Sequence, residues 1–293
     1  MLSALCYGSL NPDLVHRLGR FPEPGDDLRS LTSRMTYGGG GANPAVALAA
    51  WGANASVLGN TLGDDPLGRW LIDDLAARGV DISMIDLSHT TQTPHCIVLV
   101  GPDGERTIIS SGYRTARWQE VSTDVWKGRS VALVDAYSAG AGAAVIADAA
   151  DAGVPAVGID VTGRAAAPLQ VCVWSSHEHA VEDALALSRS GPDVVLTSGR
   201  EAAAWYRAGN ELHAVRPPEV EAIDPTGAGD TLAAMVAYGT GSRWEPAHTL
   251  RMAVAAASLT VGLERGDPIP DLGAITSLAA TVATSEQDTD PSV

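Results

Sequence analysis

Asp224-Pro-Thr-Gly-Ala-Gly-Asp230 is followed directly by residues 231–238, a run rich in residues that favour helix. Gly227, Ala228 and Gly229 are therefore expected at a helix N-terminus, where backbone N–H groups lack partners within the helix. Glycine lets a ligand approach this backbone closely, and the helix dipole favours negative charge there. The stretch predicts an anion hole that can stabilise a phosphoryl group in transit.

Asp230 ends this stretch and falls in the first turn of the predicted helix. A carboxylate beside an anion hole can accept a proton from a hydroxyl as the hydroxyl attacks phosphorus. We therefore predict that Asp230 is a general base. Because a lone Gly-x-Gly-Asp more often marks a tight turn, this prediction depends on support from the rest of the chain.

A second glycine cluster, Tyr37-Gly-Gly-Gly-Gly-Ala-Asn43, precedes a predicted helix at 44–51. Apolar, structured sequence surrounds it, which favours a backbone packed against a ligand over a flexible linker. Asn43 could then hydrogen-bond a polyol. Asp13 follows the first predicted strand, and ligands of open α/β sheets lie outside the carboxyl ends of strands. Asp13 could accept the protons of two sugar hydroxyls there.

Strand and helix patterns alternate along the chain. Apolar runs predict buried strands at 4–8, 55–59, 131–135, 154–159, 171–174 and 194–197. Helical patterns lie at 44–51, 67–78, 141–152, 181–189, 229–238 and 246–261. This alternation predicts a doubly wound α/β fold with a largely parallel sheet flanked by helices.

Two segments, 28–37 and 95–110, do not fit the alternation and are predicted as extended edges. The second folds back at Gly101-Pro-Asp-Gly-Glu-Arg106, which is typical of a hairpin turn. Together they predict a small antiparallel β-flap. The flap could cover a site or form a homodimer contact.

Composition restricts the class of protein. The chain has 293 residues, 45% of them hydrophobic, and a formal net charge of −16 at pH 7. That charge argues against nucleic acid and anionic membranes as partners, since clustered Lys and Arg drive binding to phosphates. The start lacks a signal-peptide pattern, and no apolar stretch approaches the ~20 residues of a membrane span. With three separated cysteines and no CxxC, the sequence predicts a soluble cytoplasmic protein with reduced thiols.

Taken together, these motifs resemble those of the ribokinase-like, or PfkB, family of carbohydrate and nucleoside kinases. The glycine cluster at 38–43, with Gly52, Gly63-Asp-Asp65 and Gly68, is similar to the family's N-terminal signature. The stretch 224–230 is similar to its C-terminal signature, the more specific of the two. The resemblance extends over nearly the whole chain.

The resemblance implies a ribokinase-like α/β domain over 1–284, with a lid formed by parts of about 11–37 and 90–113. Residues 285–293 are polar and short of apolar residues, which predicts a disordered tail. The resemblance also implies ATP-dependent transfer of the γ-phosphoryl group to a hydroxyl of a sugar or sugar-like molecule, with Mg²⁺ present.

By position in the family motifs, Asp230 would be the base, and the amides of Gly227, Ala228 and Gly229 the anion hole. The acceptor would face Asn11, Asp13, Gly39, Gly40, Asn43 and Arg106. ATP would contact Thr197, Gly199, Thr226, Gly227, Gly229 and Ala256. Glu178 would serve Mg²⁺, and Asp224 with Thr226 matches positions that bind a monovalent cation such as K⁺ in some members.

Three positions depart from the family pattern. Gly40 stands where ribokinase itself has a lysine, which argues against ribose in particular. The Asn-x-x-Glu motif that orders Mg²⁺ is replaced within Ser175-Ser-His-Glu-His179, where either Ser175-x-x-Glu178 or Ser176-x-x-His179 takes its place. Gly199 is followed by Arg200-Glu-Ala202, where a second glycine is usual. A weakened metal or phosphate site would slow transfer.

His177 and His179 also suggest a transition-metal pair. On a helix, residues two apart point away from each other, so the two histidines are not expected to share one ion. Surface polar residues at a helix start are the simpler interpretation.

Other functions stay open beside the sugar kinase. A nucleoside kinase of the same fold would need an aromatic wall from the lid, and the chain has one Phe and six Tyr. A non-catalytic sugar- or nucleotide-binding homologue with a degraded Mg²⁺ site is another alternative. A dinucleotide oxidoreductase is the weakest, because no Gly-x-Gly-x-x-Gly follows a strand in register.

Overall fold

The computed structural model describes residues 1–102, 104–114, 116–282 and 284–286. In chain order, its strands are β1 (Ser3–Gly8), β2 (Asn11–Arg17), β3 (Thr32–Gly38), β4 (Asn54–Gly59), β5 (Leu62–Gly63), β6 (Leu87–Ser88), β7 (His95–Val100), β8 (Arg106–Ser111), β9 (Val131–Asp135), β10 (Ala156–Ile159), β11 (Val171–Ser175), β12 (Asp193–Thr197), β13 (Ala203–Arg207), β14 (Asn210–Val215) and β15 (Thr284–Glu286). The helices are α1 (Ala42–Ala50), α2 (Pro66–Ala77), α3 (Ala139–Asp151), α4 (Val181–Ser190), α5 (Ala228–Gly241), α6 (Pro246–Val261) and α7 (Leu272–Ala279).

The central sheet has nine strands in the order β15-β14-β13-β12-β11-β10-β9-β1-β4. The six strands from β12 to β4 are parallel, and they are the six that the apolar runs predict. Along β1, Ala4 and Cys6 pack into one hydrophobic core, whereas Leu5 and Tyr7 pack into the other. A strand buried on both faces has no polar alternation, so a continuous apolar run is the pattern expected of it. The predicted doubly wound α/β fold is confirmed.

Three antiparallel strands extend this sheet beyond β12 and are absent from the predicted set. β13 and β14 form a hairpin whose two loop residues, Ala208 and Gly209, both have positive φ angles of 52° and 79°. This is the backbone shape of a tight hairpin turn. β15 pairs with β14 and includes residues 285 and 286 of the predicted tail, while 287–293 lie outside the described residues.

The lid is a separate four-stranded sheet in the order β3-β2-β7-β8. β2 pairs antiparallel with β3 but parallel with β7, so the flap is mixed rather than wholly antiparallel. β2 begins three residues after β1, and Asp13 therefore lies in a lid strand rather than in a loop. Residue 103 of the predicted hairpin turn lies outside the described residues.

Within the described ranges, no helix has both the length and the apolar character needed to cross a membrane.

Candidate active site

The predicted site lies where the carboxyl ends of β1 and β9 meet the lid and the N-termini of α1 and α5. Asp135, at the end of β9, is buried and accepts hydrogen bonds from the backbone N–H and the hydroxyl of Ser9, both at 2.8 Å. A Cβ on Gly40 would lie 2.4 Å from the Asp135 carboxylate. Close packing against this carboxylate therefore requires glycine at position 40, where a lysine side chain would collide.

Asp230 lies in the first turn of α5, where it is half-buried. Its Oδ2 accepts a hydrogen bond of 2.6 Å from Asn43 Nδ2. Burial raises the pKa of Asp230 to about 6, and the Asn43 hydrogen bond opposes that rise. At pH 7 most of the carboxyl is ionised and still basic enough to accept a proton, as a general base requires.

Asn11 and Asp13 are both buried at the start of β2. Asn11 Nδ2 donates to Asp13 Oδ1 at 2.7 Å, and the Tyr113 hydroxyl donates to Asn11 Oδ1 at 2.8 Å. Burial raises the pKa of Asp13 above its usual value. The Arg265 charge and the hydrogen bonds from Arg265 and Asn11 oppose that rise only in part. Tyr113, beside β8, is thus a lid residue of the site that the sequence motifs do not indicate.

Arg265 is the principal site residue that sequence reasoning missed. Its Nη2 donates to Asp13 Oδ2 at 3.0 Å, to the Tyr37 carbonyl at 3.1 Å and to Asn43 Oδ1 at 2.9 Å. The Arg265 and Asp13 side chains are only 8% and 9% exposed. One buried cation therefore joins the predicted acceptor carboxylate to the amide that holds Asp230. The loop after α6 carries no motif, and Glu264-Arg-Gly-Asp267 resembles a surface turn.

The predicted anion hole lies at the N-terminus of α5. Gly227 is the N-cap with a φ angle of 83°, and a Cβ there would meet Arg265 Nη1 at 2.6 Å. A Cβ on Gly229 would meet nothing within 4 Å. Of the three predicted amides, that of Ala228 donates to the Pro225 carbonyl at 3.3 Å, whereas those of Gly227 and Gly229 donate to no described residue. Two such donors at the positive end of a helix, with open space at Gly229 and the Arg265 guanidinium beside Gly227, suit an anion.

Arg106 is not brought to this centre. The register pairs Asp13 with Cys96 and Cys96 with Ser110, which places Arg106 four residues further along β8. That spacing corresponds to about 13 Å along an extended strand. Its side chain is exposed, on the far end of the lid from Asp13.

The residues predicted to contact ATP lie in three places. Thr197 ends β12 and its hydroxyl donates to the Trp174 carbonyl, and Gly199 follows with a positive φ angle of 58°. Ala256 is fully buried in α6 and packs in the core. Thr226 donates its N–H to Asp224 Oδ1 at 2.8 Å, and its buried hydroxyl has no hydrogen-bond partner among the described residues.

Glu178 and His179 follow β11 in a turn, and α4 begins only at Val181. The premise that His177 and His179 lie on a helix is therefore wrong, because both residues precede α4 and only a single turn, closed by the Ser175 carbonyl, forms there. The ligating atoms of Glu178, His179 and Asp160 lie within 4.8 Å of one another, and His177 is not part of this group.

Comparisons with known proteins agree on one family. A model described as the pfkB family carbohydrate kinase matches residues 1–153 and 160–270. The chain is 27% identical over 290 residues to the ATP-dependent ribose-1-phosphate kinase of Halopiger xanaduensis, covering 94% of this chain and 97% of that protein. Its fold is similar to that of Arabidopsis thaliana ribokinase complexed with ribose and ATP, with a TM-score of 0.79, 22% identity, and coverage of 95% and 98% of the two chains.

The fold is also similar to that of a Burkholderia thailandensis nucleoside kinase in complex with inosine. Here the TM-score is 0.76 at 19% identity, with coverage of 95% of this chain and 96% of that one.

Proposed function

The chain belongs to the pfkB family of carbohydrate kinases, and on that premise we propose that it transfers the γ-phosphoryl group of ATP to a hydroxyl of a sugar or sugar-like acceptor. The observation that carries this proposal is the Asp230 carboxylate, held by Asn43 beside the amides of Gly227 and Gly229, which donate to no residue that the structure describes. A base and an anion hole within one helical turn are what this transfer needs from a protein.

In the proposed reaction the acceptor hydroxyl lies between Asp13 and Asp230. Asp230 takes the hydroxyl proton as the acceptor oxygen forms a bond to the γ-phosphorus, and the bond from that phosphorus to the β–γ bridging oxygen breaks, releasing ADP. The amides of Gly227 and Gly229, with the α5 dipole, stabilise the charge on the transferred phosphoryl oxygens. Asp230 passes its proton to solvent after product release.

Arg265 is proposed as a positioning residue in this reaction. It fixes Asp13 through Oδ2 and fixes Asn43 through Oδ1, which leaves the Asn43 Nδ2 hydrogen directed at Asp230. Because both carboxylates depend on one guanidinium, the acceptor and the base keep a constant orientation. The acceptor then contributes little of its binding energy to ordering the site.

Metal ions would serve this site in two ways. The carboxylates of Asp160 and Glu178 offer oxygen atoms that Mg²⁺ accepts, and a cation held there would neutralise charge on the ATP phosphates. Asp224 and the Thr226 hydroxyl, which has no hydrogen-bond partner in the described part of the chain, fit a monovalent cation such as K⁺, which would fix the loop before α5.

A nucleoside is the second candidate acceptor. Tyr113, at the edge of the lid, contacts Asn11 and offers an aromatic surface near the acceptor site. A single tyrosine gives one wall for a base, whereas Asp13, Asn43 and Asn11 offer several polar groups for hydroxyls. These residues favour the sugar.

The lid also supports a proposed homodimer. The β8 side chains Ile108 and Ile109 are 48% and 49% exposed on an edge strand of the lid sheet. Exposed β-branched residues on an unpaired edge are suited to pairing with a second copy.

Release of ADP by the purified protein with ATP and Mg²⁺ tests the proposed function. The acceptors are pentoses, hexoses, sugar acids, sugar phosphates and nucleosides. Turnover with a sugar-type acceptor supports the proposal, and turnover with nucleosides alone supports the second candidate. No turnover with any acceptor, while thermal shifts still reveal acceptor binding, would contradict transfer and favour a non-catalytic binding homologue.

A further inference from the structure

A cavity of about 800 Å³ lies at the edge of the central sheet opposite the candidate active site. It opens at the amino ends of β9 to β12, where its lining includes Ser130, Gln170 and Asp193. The C-terminal end of α5 and the N-terminal end of α6 complete the wall. Sites for small organic ligands have volumes of about 300–1,000 Å³, so this cavity is large enough to hold such a ligand.

The cavity and the candidate active site are separate. Asp135 ends β9 and belongs to the active site, whereas Ser130 directly precedes β9 and lines the cavity. Along α5, Asp230 lies in the first turn, and Gly241, the last residue of the helix, lines the cavity. A helix rises about 1.5 Å per residue, so positions 230 and 241 lie about 16 Å apart. The two sites are therefore at opposite ends of one helix.

The cavity is positively charged in an acidic protein. The chain has 35 acidic residues against 19 lysines and arginines. The cavity lining, in contrast, has three arginines, Arg129, Arg207 and Arg243, and Asp193 is the one acidic residue among its described members. Glu245, just outside the lining, also acts electrostatically on Arg207. A lining whose charge balance is opposite to that of the whole chain attracts anions.

The Asp193 carboxylate is already paired within the protein. Arg207 donates to it from Nε at 2.9 Å and from Nη2 at 2.6 Å, and Trp205 Nε1 donates to it at 2.8 Å. Arg207 Nη1 donates to no described residue. Arg129 and Arg243 form no ion pair within the described part of the chain. The excess positive charge of the cavity is therefore carried by these two arginines.

Arg243 occupies a backbone position at which glycine is usual. α5 ends in a Schellman motif, in which the Arg243 N–H donates to the Thr240 carbonyl at 3.1 Å and the Trp244 N–H donates to the Gly239 carbonyl at 2.9 Å. The φ angle of Arg243 is 58°, in the left-handed region that strains residues other than glycine. The α5 dipole favours a cation at this end and offsets part of that strain.

The Arg243 side chain is exposed, and its guanidinium has no hydrogen-bond or ion-pair partner among the described residues. A glycine at this position would relieve the backbone strain, yet the chain places an arginine here with no acceptor of its own. An acceptor supplied by a ligand would use all of these N–H groups.

Arg129 is a second cation with an unused donor. Its Nε donates to the Val125 carbonyl at 3.1 Å, and its Nη1 donates to the Ala4 carbonyl at 3.2 Å, whereas Nη2 donates to no described residue. Burial lowers the pKa of Arg129, and a ligand anion beside it would favour the charged form. A guanidinium already held in place loses little further freedom when a ligand binds.

Trp244 adds an apolar surface directly beside Arg243. Its ring lines the cavity and packs against Tyr238 and His248, with ring centroids 5.3 and 4.7 Å away. These two contacts fix the indole ring. A flat aromatic surface next to a guanidinium suits a ligand that has an organic body and an anionic group.

We propose that this cavity is a second small-molecule site, which binds a phosphate monoester through the arginine N–H groups that have no partner within the protein, with the organic body of the ligand against Trp244. A phosphate monoester has nearly two negative charges and three acceptor oxygens, and these match guanidinium groups well. The site shares no residue with the candidate active site, so its binding does not depend on the proposed kinase function.

Titration calorimetry tests the proposal on the full chain, with any polyhistidine tag removed and no ATP present. The probes are inorganic phosphate, AMP and glucose 6-phosphate. We expect saturable binding of at least one of the two esters, tighter than that of inorganic phosphate, because only an ester has a body that can contact Trp244. The preferred ester distinguishes a nucleotide ligand from a sugar phosphate. Arg243→Gly should weaken ester binding by roughly tenfold or more.

Arg243→Gly should fold at least as stably as the wild type, because glycine adopts a positive φ angle without strain. Its urea midpoint checks that lost binding does not come from unfolding. Arg29→Ala is the matched control, since it removes the same charge from an exposed arginine in the β2–β3 loop, outside the cavity. It should leave ester binding unchanged. Gly229→Ala, at the candidate active site, should leave it unchanged as well.

A folded wild type that binds neither ester would overturn the proposal. Ester binding that is unchanged in Arg243→Gly would also overturn it, and loss of that binding in Gly229→Ala would assign the ligand to the active site instead. Equal affinity for inorganic phosphate and for both esters would overturn the role of Trp244. Because ATP is absent and the readout is binding, a failed kinase assay does not affect these outcomes.

Discussion

The Asn43 side-chain amide donates a hydrogen bond of 2.6 Å to the Asp230 carboxylate while its own carbonyl accepts one of 2.9 Å from Arg265. Asn43 thereby joins the proposed general base to a buried cation that also holds Asp13 at 3.0 Å. The residues lie at the start of α1, in the first turn of α5 and in the loop after α6. Three distant parts of the chain thus determine the charge state and orientation of one carboxylate.

The pH dependence of turnover follows from this hydrogen bond. Asp230 must be ionised to act as a base, so kcat/KM should rise with pH through an apparent pKa of about 6. A hydrogen bond to a charged carboxylate lowers its pKa. Losing this bond in Asn43→Ala should therefore raise the pKa of Asp230 and shift the rise in kcat/KM to higher pH. The loss of activity should therefore be larger at pH 6 than at pH 8. Asn210→Ala, in the exposed β13–β14 hairpin, is the control. A pH profile of kcat/KM that does not shift in Asn43→Ala would contradict this role of the hydrogen bond.

The Asp13–Arg265 pair should contribute strongly to stability because both side chains are buried. Arg265→Met leaves Asp13 as a buried charge without its cation, which we expect to lower the free energy of unfolding by about 3 kcal/mol. Adding Asp13→Asn removes that isolated charge, so the double variant should lose less than the sum of the two single losses. Urea denaturation measures the free energy of unfolding of the two single variants and of the double variant.

Arg20→Met is the matched control for this pair, since Arg20 and Asp26 form an ion pair at the exposed surface and its loss should leave the urea midpoint unchanged. Additive losses in the double variant would show that Arg265 and Asp13 do not depend on each other.

Gly229→Ala should separate stability from activity. Its Cβ meets no atom within 4 Å, so the unliganded protein should be as stable as the wild type or slightly more so. The same methyl group would occupy the space proposed for the phosphoryl group, so kcat/KM should fall by roughly tenfold or more. Gly140→Ala, in the first turn of α3 with equally open space, should have the same effect on stability and leave kcat/KM unchanged.

Gly227→Ala should behave differently from Gly229→Ala. Its φ angle of 83° and the contact with Arg265 Nη1 should destabilise the fold by about 1 kcal/mol or more. A wild-type kcat/KM in Gly229→Ala, in contrast, would contradict the proposed position of the phosphoryl group beside Gly229.

The sequence predicts the parallel core of the fold well, because strands such as β9 are buried on both faces and appear as continuous apolar runs. The β13–β14 hairpin escapes prediction since its turn, Ala208-Gly209, uses an alanine at positive φ in place of the usual asparagine or aspartate. The partly exposed strand β14 also lacks a continuous apolar run.

The sequence likewise indicates some residues of the candidate site and not others. Asp230 and Asn43 lie in local motifs, where the types of neighbouring residues indicate a ligand. Arg265 reaches Asp13 across 252 positions, and only the fold reveals that contact. Asp160 is likewise hidden, because only the fold brings its carboxylate close to Glu178 and His179 after β11.

The most direct test of the proposed mechanism is to compare Asp230→Asn with the wild type, using an acceptor identified by the ADP-release assay. Asparagine keeps the shape of the side chain and an oxygen that can accept the Asn43 hydrogen bond, but it takes up no proton at neutral pH. We predict that acceptor affinity, measured by titration calorimetry, stays within a few-fold of the wild type, while kcat falls by roughly 10² or more. A folded Asp230→Asn protein that retains the wild-type kcat would contradict the assignment of Asp230 as the general base.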